Sequence, residues 1–124
     1  MTESVREIPE IDPTPIFEHF RGVYATELLT AAVAHFDLFN QLADDSLTFP
    51  ELRQRLNLEV RPARVLLTAL RAMELLTVEE DRFVLTPQAR EHLRSDSKFD
   101  ISGYIGLMAE TPGVLEMVER LLTN

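Results

Sequence analysis

Apolar residues recur along this chain with two periods, and the switch between them organises the reading. Ile16, Phe17, Phe20, Val23 and Tyr24 fall at i, i+1, i+4, i+7 and i+8, one stripe of a helix. Asp12 or Thr14 can cap that helix, with Pro13 or Pro15 in its opening positions. Gly22 divides it from a Leu- and Ala-rich helix over 23–34, followed by a short turn through Phe36 to Leu42 and the acidic loop Asp44-Asp45. Thr48-Phe-Pro-Glu51 has the spacing of a capping box, in which Thr48 takes an orphan amide and Glu51 reaches back. It opens a short helix through Leu52 and Leu56. Pro62 then starts a second helix running to about Met73, with Val65, Leu66, Ala69, Leu70 and Met73 expected inward.

From Leu76 the period falls to two. Leu76 and Val78 alternate with Thr77, Phe83 and Leu85 alternate with Val84, and Glu79-Glu80-Asp81-Arg82 forms the tip of a β-hairpin. Thr86-Pro87 caps and starts another helix, from Gln88 to Leu93. Helix, turn, helix and hairpin in that order predict a mainly α fold: a winged helix-turn-helix with flanking N- and C-terminal helices. Beyond the polar break at 95–98, helical stretches are expected over Asp100–Met108 and from Thr111-Pro112 onward. The second is still apolar at Leu121 and Leu122, so the chain is expected to end within connecting helices.

Composition adds mainly exclusions. A 124-residue chain has room for one core, and zero Cys removes disulfides and thiolate chemistry. No apolar run approaches the ~20 residues of a membrane helix, and the acidic start is no signal peptide, so a cytoplasmic protein is expected. Residues 1–12 read as a flexible acidic arm. The net charge of −9 is unevenly placed: 1–45 hold two basic and nine acidic groups, 46–98 nine and eight, and 99–124 one and four.

Candidate chemistry is sparse. The glycines at 22, 103, 106 and 113 form no phosphate loop, and Gly103-Tyr-Ile-Gly106 reads as helix packing. His19, His35 and His92 have no companions at metal spacing, the acid pairs sit in turns, and no serine has an activating His nearby. No catalytic, cofactor or metal site is therefore assigned to this chain. Arg61, Arg64, Thr68 and Arg71 form a polar stripe where a DNA-reading winged helix would place its contacts. The stripe reads more readily as an ordinary solvated face with i, i+3 and i+4 pairing. The wing tip of three carboxylates, opposed only by Arg82, would repel phosphates.

Three stretches together resemble a known family. Leu28-Leu-Thr-Ala-Ala-Val-Ala-His-Phe-Asp-Leu-Phe-Asn-Gln-Leu42 is similar to its Ala-rich helix and turn. Phe49-Pro-Glu-Leu52 with Arg61 to Leu70 resembles its central helix pair. Phe83-Val-Leu-Thr-Pro-Gln-Ala-Arg-Glu-His-Leu93 is similar to its wing and the helix after it. The family is the N-terminal winged-helix dimerisation domain of S-adenosylmethionine-dependent O-methyltransferases, which act on plant phenolics, hydroxyindoles and bacterial polyketides. Asp37 and Glu74 depart from it, standing where the family commonly has Gly.

The resemblance implies a non-catalytic domain at 13–98 that pairs subunits and helps close the partner's substrate pocket. Residues 99–124 would be connecting helices toward a catalytic, S-adenosylmethionine-binding domain absent from this chain. The stand-alone alternative is a DNA-binding transcription regulator. For the dimer, the first helix offers two apolar rows, Ile16, Phe20, Val23 and Phe17, Tyr24, Leu28, of which one winged unit covers only one. These six residues are the candidate interface of a homodimer. The competing arrangement folds both rows onto the chain's own C-terminal helices. Neither nucleic acid nor membrane is an expected partner.

Overall fold

The computed structural model describes residues 26–123. The acidic arm, the first apolar stripe and five candidate interface residues (Ile16, Phe17, Phe20, Val23 and Tyr24) lie outside the described residues. Helix α1, Thr26–Thr30, runs directly into a π-helical turn over Ala31–His35. The buried Thr30 hydroxyl donates to the carbonyl of Thr26 at 2.8 Å, a back-bond that loosens the regular ladder where the helix widens. Asp37 follows with φ 50°, ψ 38°, the left-handed conformation glycine adopts most cheaply. It turns the chain into α2, Leu38–Leu42.

Helix α3, Phe49–Leu56, starts on the predicted capping box. Glu51 N donates to the Thr48 hydroxyl at 3.3 Å, and Thr48 N donates to Glu51 Oε1 at 2.9 Å. Left-handed Asn57 ends it, and Leu58 N reaches back to the Arg53 carbonyl. Helix α4, Val60–Ala72, turns Ala63, Leu66, Leu67 and Leu70 into the core at i, i+3, i+4 and i+7. Val65, expected inward, lies about 200° round the helix from Ala63 and is 47% exposed. Met73, also expected inward, is half-buried.

The period-two segment is the antiparallel hairpin β1, Leu76–Glu79, and β2, Arg82–Leu85, in the register Leu76↔Leu85 to Glu79↔Arg82. Glu80 and Asp81 at its tip both have positive φ, 51° and 71°, as a tight primed turn requires. A single bridge adds Leu47 to the free edge of β2, with Phe83 N donating to Leu47 O at 2.7 Å. Periodicity gave no sign of that third partner. Phe83 is fully buried beneath it, so Phe83→Ala belongs to the costliest class of substitution, about 3–5 kcal/mol.

Helix α5, Pro87–His92, is capped by Thr86 as predicted. The helix expected over Asp100–Met108 is shorter, α6 at Ser102–Gly106, with Asp100 Oδ1 accepting from Ser102 N at 2.8 Å. Helix α7, Pro112–Thr123, packs across α1, the π-turn and α4, and buries Val114 and Leu121. The Glu27 carboxylate lies against its first turn. A Cβ added at Gly113 would stand 3.4 Å from Glu27 Oε2, so a small residue there lets the acid approach the positive end of the helix dipole.

Candidate functional site

Leu28, the one candidate interface residue among those described, is 5% exposed and sits in the chain's own core. Helix α1 packs on α4 and α7, and the Leu28 side chain lies in that packing. Other side chains singled out by type are held in hydrogen bonds within the chain. His35 donates from Nε2 to the Ala109 carbonyl at 2.7 Å, tying the π-turn to the segment between α6 and α7. His92 donates from Nδ1 to the Phe99 carbonyl at 3.1 Å. Asp44 and Asp96 each accept from Arg94 at 2.6 Å, and together they raise the Arg94 pKa, Asp44 most strongly. No group of three acidic or His side chains able to hold a metal ion occurs among the described residues.

The polar stripe on α4 does not form. Arg61, Arg64 and Arg71 are exposed, but Thr68 between them is buried and its hydroxyl finds no hydrogen-bond partner among the described residues. Arg82, expected to offset the acidic wing tip, instead donates from Nη1 to the Ser46 carbonyl at 2.9 Å and stands 3.6 Å from Glu51. Glu51 has its pKa lowered chiefly by the Thr48 backbone amide, then by the Thr48 hydroxyl, with Arg82 and Arg55 adding to it.

The feature that sequence reasoning missed is an apolar groove of about 270 Å³ between α1 and α6. Thr26, Leu29 and Thr30 form one wall; Tyr104, Ile105, Leu107 and Met108 form the other. Thr30 turns its hydroxyl back onto its own helix, so that wall presents mainly carbon to the groove. Tyr104 and Leu107 stand out at the edge, 76% and 75% exposed. Around Gly103 and Gly106, expected to serve helix packing, a Cβ would meet nothing within 4 Å among the described residues. The available signal was the run Tyr104, Ile105, Leu107, Met108, densely apolar for a short helix and the exposed turn that follows it.

The O-methyltransferase dimerisation-domain family matches residues 17–95. An O-methyltransferase family 2 protein from Planctomyces limnophilus, solved in complex with apigenin, is 48% identical with a TM-score of 0.82. The match covers 94% of this chain and 35% of that one. The 3-hydroxy-5-methyl-1-naphthoate 3-O-methyltransferase of Streptomyces sahachiroi is 34% identical over 114 residues, 90% of this chain and 33% of that protein. Human N-acetylserotonin methyltransferase, solved with SAM, shares the fold at 18% identity and a TM-score of 0.68, over 80% of this chain and 30% of its own. The chain spans about a third of the length of these relatives. With its helices and hairpin in the predicted order and the family matched over most of its residues, this chain belongs to the O-methyltransferase dimerisation domains.

Proposed function

We propose that this chain is the subunit-pairing module of an S-adenosylmethionine-dependent O-methyltransferase whose acceptor is a planar phenol. The observation that carries the proposal is the family match over 17–95, joined to 48% identity with an apigenin-bound relative. The naphthoate methyltransferase of Streptomyces supports the same class of acceptor. Methyl transfer belongs to the longer enzyme, where S-adenosylmethionine supplies the methyl group. The part assigned to this domain is to pair subunits and help close the partner's pocket in the cytoplasm.

Pairing is assigned to the row Ile16, Phe20 and Val23, with Ile16 and Phe20 near the two-fold axis. The neighbouring row is Phe17, Tyr24 and Leu28, of which Leu28 lies in the chain's own core. Burying one Phe or Ile side chain contributes roughly 1.5–3 kcal/mol, so a few per subunit support a dimer in the micromolar range or tighter. Phe20→Glu tests this: light-scattering mass should fall from two chains to one while circular dichroism is largely kept. An unchanged dimer would remove the first helix from the interface. Calorimetry with S-adenosylmethionine should detect no micromolar, stoichiometric binding to this chain.

A further inference from the structure

We infer that the outer edge of β1 is a docking site for an extended, basic segment of another protein, added to the wing as a further strand through the backbone of Val78. The phase of the hairpin sets which groups point outward. Phe83 directs its N–H and C=O to Leu47, at 2.7 and 3.2 Å. Its cross-strand partner Val78 is therefore a non-hydrogen-bonded position, with its own N–H and C=O turned away from β2. The bond from Thr86 N to Leu75 O, 3.2 Å, fixes the same phase from the other end of the hairpin. No hydrogen bond among the described residues reaches the Val78 backbone. Leu76, the next outward-facing position, is buried, so the accessible edge is residues 77–80. One edge of the wing takes Leu47 through a single pair of bonds, and the other offers the same pair to an outside strand.

Side chains select the occupant. Glu79 stands opposite Arg82, but that guanidinium is turned to the Ser46 carbonyl at 2.9 Å and to Glu51 at 3.6 Å. Glu79 is exposed and makes no ion pair among the described residues, with Glu80 exposed beside it. An antiparallel strand bonded to Val78 sets its neighbouring residue opposite Glu79 in a non-hydrogen-bonded pair, where side chains approach most closely. Lys or Arg there pairs with Glu79, and an apolar residue opposite Val78 extends the half-buried face of the hairpin. The net charge of −9 draws such a segment in. A second copy is the poorer occupant. Joining two β1 edges about Val78 sets the two Glu79 side chains on a diagonal of about 7–8 Å, with −9 on each chain.

The test titrates a capped pentapeptide of alternating Lys and Val into the isotope-labelled chain, followed by amide NMR. The amides of residues 77–80 should shift saturably, with the Val78 N–H moving downfield and gaining exchange protection, while α4 and α7 stay unchanged. Val78→Pro removes the outward donor, a change that an edge position tolerates. Glu79→Lys reverses the charge. With circular dichroism as the fold control, each variant should weaken binding at least tenfold, as should a Glu-Val peptide on the unmodified chain. Unchanged binding in a folded variant overturns strand addition, and so does the lack of a saturable shift at millimolar peptide. Shifts at residues 77–80 that grow with protein concentration in the absence of peptide assign the edge to a second copy and overturn the peptide reading.

Discussion

The Thr86 hydroxyl donates to the carbonyl of Glu74 at 2.8 Å while accepting from Ala89 N at 3.3 Å, so one side chain joins two chain reversals. Glu74 is left-handed, φ 62°, after the last turn of α4. Leu75 N returns to the Leu70 carbonyl and Glu74 N to that of Arg71, the bond pair that closes a helix on a left-handed residue. An L-residue in that conformation costs roughly 1–2 kcal/mol, and glycine avoids it at some cost in unfolded-state entropy. Glu74→Gly should therefore stabilise the fold by about 0.5–1 kcal/mol, read as a rise of about 2–4 °C in calorimetry. Thr86→Val, losing cap and tether together, should destabilise by about 1 kcal/mol.

The wing tip carries a related strain. Glu80 and Asp81 both occupy positive φ, where Asn-Gly is the favoured pair, and they place two further carboxylates beside Glu79. The double variant Glu80→Asn, Asp81→Gly should raise the urea midpoint at unchanged slope. A lowered midpoint would mean that the acidic pair contributes more than its backbone conformation costs.

At the start of α3, the amide and hydroxyl of Thr48 hold the Glu51 carboxyl below the usual glutamate range. Because its pKa is lower folded than unfolded, its contribution is present above the unfolded value and lost as pH falls through the folded one. Carboxyl-selective NMR titration should find Glu51 below the usual glutamate range. Glu51→Gln should flatten the acid limb of the stability profile, and a curve parallel to the parent's would contradict the cap's role.

His35 holds Ala109 across 74 residues of sequence. Removing one such bond costs on the order of 1 kcal/mol locally. His35→Ala should accelerate hydrogen exchange at Leu107, Met108 and Ala109 by about five- to tenfold, leaving α4 and the hairpin unchanged. Uniform acceleration across the chain would make His35 a global core residue instead.

What the sequence made legible was local. The capping box at Thr48, the Thr86 cap and the alternation through Leu76 to Leu85 each involve neighbours within a few positions, where spacing fixes geometry. Asp37 and Glu74 were recognisable as glycine-like sites, and both are left-handed. Less legible was anything set by distant parts of the chain. The phase of Val65 depends on which face of α4 the hairpin and α7 cover, and Arg82 was drawn from the wing tip by the Ser46 carbonyl. The groove joins Thr26 to Met108, so no window of sequence contains it.

The central claim, that this chain is a subunit-pairing module, is tested most directly by the light-scattering mass of the unmodified protein at tens of micromolar. The account predicts twice 14.2 kDa, falling toward a single chain on dilution. A mass of 14.2 kDa throughout that range would contradict it.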